Sequence, residues 1–258
     1  MNSGPSVRVR TQQAIIVFAL IMLAASCWYF LVETESAMRV MRGDGLFVEL
    51  MWMMMEPNES IPYLAATTAM WIVMMFAMMV PAVMPMVIVF CQLDRGPSTE
   101  LDAVLFAGGY LLAWCMFSVV AATLQWSLHG VGQLHGDLLS VRPFLAASIL
   151  MLAGAYQLTP MKEACLSRCR SPIGFFLANW RAGRLGAIRM GLQHGLFCIG
   201  CCWMLMLLMF VGGAMSVVTM ALLSMFILAE RVLPSGPWVS WMPGIALIAW
   251  GAYLAIFA

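Results

Sequence analysis

Charged residues are scarce in this chain: Asp, Glu, Lys and Arg make up 10% of its 258 residues, against 63% hydrophobic ones. At a mean hydropathy of +0.93 this excludes an ordinary soluble domain and places the chain in a bilayer. Also missing are a phosphate-cradling glycine loop, a Ser/His/Asp spacing, a CxxCH haem attachment and any nucleic-acid motif. No internal repeat and no paired broken helices are visible, which argues against a transporter for apolar substrates built from repeated halves. The net charge of +1 says nothing about partners, whereas the distribution of charge does.

Apolar runs of spanning length occur at 14–32, 63–90, 101–128, 143–159, 190–211, 214–229 and 239–257. The fold class is therefore all-α, a polytopic membrane helix bundle. It has seven transmembrane helices, or six, because the sixth run is short and Gly212-Gly213 links it tightly to the fifth. With the N-terminus inside, Arg8, Arg10, Arg95, Lys162, Arg168, Arg170, Arg181, Arg184, Arg189 and Arg231 are cytoplasmic, and only Arg39, Arg42 and Arg142 are external. That ten-to-three division supports seven spans with a cytoplasmic N-terminus. The organisation is a cytoplasmic tail (1–13) followed by one transmembrane domain (14–258), with an external segment (33–62) and a basic cytoplasmic loop (160–189). Arg8 and Arg10 before 14–25 resemble a signal peptide. The apolar run continues through Trp28 to Val32, too long for a cleaved leader, so a retained anchor is expected.

The external segment carries Glu33, Glu35, Asp44, Glu49, Glu56 and Glu59 beside Leu46, Phe47 and Met51 to Met55, the pattern of an amphipathic helix lying in the interface. The second span is rich in methionine, and thioethers are soft ligands suited to Cu(I). Met70, Met74 and Met78 share one face at about 100° per residue, whereas Met75, Met79 and Met86 lie roughly opposite. One helix cannot aim both sets at one ion, so at least half are lipid contacts or packing. Pro81 and Pro85 should kink this helix and free carbonyls that then need partners in protein or water.

The fifth span concentrates reactive groups at membrane depth: His194, Cys198, Cys201 and Cys202, within an arc of about 100°. His194 and Cys201 are about 10 Å apart along a regular helix, too far to share an ion. Cys198 can pair with Cys201 or Cys202 instead, and His194 with Cys198, and another helix must supply the rest, with Met70, Met74 and Met78 as first candidates. Gly195 and Gly200 allow either a local break or close helix packing. Three thiolates with Zn2+ would leave net negative charge in hydrocarbon unless a cation is buried beside them. Soft ligands and low charge favour Cu(I) over zinc.

In the basic loop, Cys165 and Cys169 are one turn apart among Lys and Arg, which favour thiolates, and they form a candidate metal relay together with Met209. Cys27, Cys91 and Cys115 read as packing residues, and His129 and His135 as solvated external groups. Asp137, Tyr156 and Gln157 are expected as polar partners between helices. The Asn179 to Arg184 stretch is read as an interfacial anchor, and Glu230-Arg231 as a pair at the inner interface.

These motifs, in order, resemble the bacterial family known as predicted metal-binding integral membrane proteins, a domain-of-unknown-function family. The matching residues are Trp71 through Pro85, Tyr156-Gln157-Leu158-Thr159-Pro160-Met161-Lys162, Cys165-Leu166-x2-Cys169-Arg170-x-Pro172, and Gly191-x3-Gly195-x2-Cys198-x-Gly200-Cys201-Cys202-Trp203, followed by Glu230. The family often has Lys after that Glu, where this chain has Arg231, which keeps the charge. The resemblance implies a multi-pass protein of the bacterial inner (cytoplasmic) membrane that binds metal, with copper handling suspected. The leading expectation is a non-enzymatic chaperone, assembly factor or permease for a soft metal. Its partners would be the lipid bilayer and a metal-receiving protein. Two alternatives stand beside it: a non-catalytic accessory subunit of a larger membrane complex, and a membrane thiol-disulfide oxidoreductase. The last lacks the expected external Cys pair.

Overall fold

The computed structural model describes residues 5–40, 61–94, 99–135, 139–233 and 238–257, without the side chains of 5–12, 38–40 and 135. Among these residues the chain is almost wholly helical. The helices are α1 (Pro5–Val40), α2 (Ile61–Leu93), α3 (Thr99–Gly130), α4 (Pro143–Gln157), α5 (Pro160–Arg170), α6 (Pro172–Asn179), α7 (Arg184–Leu207), α8 (Met209–Gly212), α9 (Val217–Val232) and α10 (Trp238–Phe257). A two-residue antiparallel hairpin, β1 (Leu134–His135) with β2 (Ser140–Val141), joins α3 to α4. In hydrocarbon every backbone N–H and C=O must find an internal partner, so a chain this apolar becomes helix nearly throughout. Pro143, Pro160 and Pro172 open α4, α5 and α6, at the helix position where a missing N–H costs least.

Five helices are long and apolar enough to cross a membrane: the 13–37 part of α1, α2, α3, α7 continued by α8, and α10. A sixth span exists if α4 and α5, bent by 65° at their junction, count as one. Of the two expected counts, six agrees with this range, and seven is not reached among the described residues. With 16 residues, α9 falls short of spanning length. The basic stretch 160–189 is largely helical. It folds as α5 and α6, which bury Lys162, Leu166, Cys169, Phe175 and Phe176 against the bundle. Of the external segment, α1 continues through Val40, and Glu35 Oε2 accepts the Val217 amide at 3.0 Å, capping α9. Its remainder, including Asp44, Glu49, Glu56, Glu59 and Met51 to Met55, lies outside the described residues, as do Arg42, Arg95, Asp137 and the His135 side chain.

Two backbone-to-backbone seams organise the bundle. Along α3 and α7, a Cβ placed on Gly191 would stand 1.9 Å from the Phe106 carbonyl, and one on Gly109 would stand 2.3 Å from that of Ile188. Along α4 and α10, Gly154 and Gly244 meet in the same way, with 2.5 Å from a Gly154 Cβ to the Gly244 carbonyl. Small residues let helices approach closely where no hydrophobic driving force separates lipid from side chain. Gly195 belongs to the first seam, its Cβ position 2.6 Å from Ala113 Cβ, and α7 runs unbroken through both Gly195 and Gly200. The alternative of a local break is therefore not realised.

Methionine fills the centre of this bundle. Met70, Met74, Met75, Met78, Met79 and Met86 are all buried, so the two faces of α2 both serve packing and neither contacts lipid. Pro81 cannot donate to Ala77, and the freed carbonyl accepts Trp28 Nε1 at 3.0 Å. That bond ties α1 to the kink-prone part of α2.

Candidate metal centre

α7 projects Cys198, Cys201 and Cys202 into the bundle, all three buried. Their thiols gather because residues three and four apart share a helix face. Cys201 Sγ and Cys202 Sγ each donate to the Cys198 carbonyl at 3.0 Å. Cys198 Sγ points elsewhere, 3.1 Å from the Tyr110 hydroxyl of α3, which also donates to the Met79 carbonyl of α2 at 3.2 Å. Cys169 of α5, also buried, completes the group beside Cys201. Cys165, one turn earlier, packs over Gly200, whose Cβ position is 2.9 Å from its sulfur. The pair read as a loop relay thus borders the α7 cysteines directly.

The decisive addition is Arg231, at the end of α9. Its Nη2 donates to Cys198 Sγ at 2.6 Å and to Cys201 Sγ at 3.8 Å, and Nη1 donates to the Ala82 carbonyl of α2 at 3.3 Å. The expected Glu230–Arg231 pair does not form. Successive helical residues point about 100° apart, so the two side chains serve different neighbours. Glu230 instead accepts Lys162 Nζ at 2.5 Å and Ser240 Oγ at 2.8 Å, with Lys162 and Glu230 both buried. Arg170 Nε donates to the Glu230 carbonyl at 2.7 Å, so α5 clamps the end of α9 from both sides.

His194 lies one turn before Cys198, fully buried, with neither ring nitrogen hydrogen-bonded. Its ring sits among Tyr110, Phe106 and Phe175, at centroid distances of 5.6, 6.3 and 5.2 Å. It stands beside the thiols through Tyr110, as the helical rise requires. Met70, Met74, Met78 and Met209 are buried in the same core, while α2 meets the thiol group through the carbonyls of Met79 and Ala82. Far from this site, the Tyr63 hydroxyl meets His129 Nδ1 at 3.0 Å, so His129 is held by a partner and not merely solvated. Tyr156 does bridge helices, donating to the Gly200 carbonyl at 2.5 Å, whereas neither amide atom of the buried Gln157 has a partner. Trp180 stacks on Phe90 at 5.6 Å, a packing role beside the expected anchor.

Among the described residues no three His, Cys, Asp or Glu side chains already stand as a ligand set for one ion. The Cys201 and Cys202 thiols bond the Cys198 carbonyl, so an ion is received only as these side chains rotate. The donor chemistry nevertheless suits a soft monovalent metal: sulfur ligands, no carboxylate, and a guanidinium against the sulfur. Sequence reading missed Arg231 and Tyr110. The one signal for Arg231 was an Arg at a position that the family fills with a cation, and a single Tyr in a span carried none.

A family model described as PpoB2, copper chaperone, matches residues 68–254. No curated protein and no solved structure matches the chain.

Proposed function

Because the chain belongs to the PpoB2 copper chaperone family, we propose that it is a membrane-embedded Cu(I) carrier whose holding site is Cys198 and Cys201, neutralised by Arg231. The single observation that carries this reading is the guanidinium within reach of both sulfurs. Cu(I) with two thiolates has a charge of −1, costly in hydrocarbon, and Arg231 brings the site to zero. Zn2+ with the same two thiolates and Arg231 would be left at +1. Tyr110 orients the Cys198 sulfur. Cys169 beside Cys201, followed by the half-buried Cys165, supports a route by which one thiol replaces another as the ion arrives or leaves. Met209 and the Met70, Met74 and Met78 stripe are neutral soft donors that add no charge to such a path. His194 is a neutral reserve ligand on the same face.

The carrier reading is non-catalytic, with a copper-requiring protein as recipient, in the bacterial cytoplasmic membrane. Elemental analysis of the purified protein, with sulfur and copper X-ray absorption, tests it. One Cu(I) per chain on sulfur ligands is expected, with loss of that ion in Cys198→Ser and Cys201→Ser. Full retention in both variants would overturn the assignment. In proteoliposomes a carrier binds copper without net flux, which separates it from a permease.

A further inference from the structure

We infer that the Tyr110 hydroxyl is a switch through which an ion on Cys198 loosens the proline segment of α2; the identity of the ion rests on the copper reading above. Pro81 cannot donate to Ala77, nor Pro85 to Pro81, so the backbone ladder of α2 lacks two bonds within a short stretch. Around that stretch four carbonyls accept side chains from three other helices. Ala77 takes Trp28 Nε1 of α1 at 3.0 Å, and Met78 takes Ser224 Oγ of α9 at 3.4 Å. Met79 takes the Tyr110 hydroxyl of α3 at 3.2 Å, and Ala82 takes Arg231 Nη1 of α9 at 3.3 Å. These ties hold a segment whose own hydrogen bonding is incomplete. Two of the four donors, Tyr110 and Arg231, also touch Cys198.

Proton counting separates the two donors. Tyr110 has one O–H, and Met79 receives it, so in the 3.1 Å contact with Cys198 the thiol donates and the phenol oxygen accepts. A cysteine that ligates a metal is a thiolate. Cu(I) therefore replaces the proton on Cys198, which leaves to the medium, and the sulfur can then only accept. A hydrogen bond to an ionised acceptor is roughly twice as strong as one to a neutral carbonyl. Both acceptors are already within reach of the hydroxyl, so rotation about its C–O bond carries the proton from Met79 to the sulfur. Tyr110 keeps its proton throughout, and the Met79 carbonyl loses its tie. Arg231 has separate Nη groups for Ala82 and for the sulfurs, so its tie survives. A ligand shifts a conformational equilibrium only through contacts that differ between the two states, and the Met79 bond is such a contact.

The test is hydrogen exchange by mass spectrometry on the full-length protein in detergent, metal-free and with one equivalent of Cu(I). Bound copper is counted in the same samples. Peptides covering 77–86 should exchange about fivefold faster with copper bound, the worth of one ordinary hydrogen bond. Tyr110→Phe, which has no hydroxyl to turn, should exchange at the faster rate already without metal and show no further response to bound copper. Trp28→Phe cuts the Ala77 tie and should raise exchange in both states while keeping the response, which separates general loosening of α2 from the switch. The parent measurement decides the matter if either variant does not fold. One copper bound with unchanged or slower exchange at 77–86, or a copper-loaded Tyr110→Phe that responds as the parent does, would overturn the inference and leave the copper reading standing. No copper bound to the parent would overturn both.

Discussion

Replacing Arg231 by Met removes the positive charge beside Cys198 and Cys201 while keeping an unbranched, flexible side chain. Nη2 is 2.6 Å from one sulfur and 3.8 Å from the other, and the charge centre of the guanidinium lies further back. A unit pair at about 4 Å with an effective dielectric constant near 20 is worth about 4 kcal/mol. Removing one member of a buried pair costs about 3–5 kcal/mol, which agrees. At about 1.4 kcal/mol per tenfold, Cu(I) affinity should fall by roughly 100- to 1,000-fold in Arg231→Met. Arg231→Lys keeps the charge but loses the fork that reaches Ala82 and Cys198 together, so about a tenfold loss is expected. Anaerobic competition against a chromogenic Cu(I) chelator in detergent measures both, with thermal unfolding to confirm a folded variant. An Arg231→Met affinity within threefold of the parent would refute the charge-balance argument. An increase would show that Arg231 shields the thiols instead.

Four further outcomes follow from the same geometry. Cys202→Ser should keep stoichiometric copper while Cys198→Ser loses it, because Arg231 reaches Cys198 and Cys201, and elemental analysis of the two variants decides this. Gly191→Ala should destabilise by about 1–3 kcal/mol through overpacking against the Phe106 carbonyl, whereas Gly200→Ala meets only the movable Cys165 sulfur and should cost little; thermal unfolding compares them. Lys162→Met or Glu230→Leu alone should each cost about 3–5 kcal/mol, while the two together recover much of it, so a double-mutant cycle without coupling would contradict the buried pair. His194→Phe should raise stability by about 1–3 kcal/mol, since two unpartnered ring nitrogens leave an aromatic box; a loss of copper in that variant would instead make His194 a ligand.

Part of the candidate site's geometry was legible one helix at a time. The 3.6-residue period alone puts Cys198, Cys201 and Cys202 on one face and separates His194 from them by helical rise. Pro81 announces a carbonyl in need of a donor, although nothing local says that the donor is Trp28 of α1. Other features needed the neighbouring helices. A basic stretch with Cys165 and Cys169 reads as a cytoplasmic loop because its charges dominate the composition, and Leu166, Cys169, Phe175 and Phe176 form a buried face once α5 and α6 dock. Adjacent Glu230 and Arg231 read as an ion pair because sequence neighbours look like spatial ones, which a helix forbids.

Composition and periodicity by themselves determined that the chain is helical, apolar enough to cross a membrane and rich in soft sulfur side chains within its helices, since backbone hydrogen bonding in hydrocarbon admits little else. Tertiary structure alone decided which helix completes the thiol group and what balances its charge. Cys169, Tyr110 and Arg231 stand 29, 88 and 33 residues from Cys198, each on a different helix. The side-chain directions of those helices are set by glycine seams and the buried Lys162–Glu230 ion pair, and a one-dimensional pattern carries no information about rotation of one helix against another.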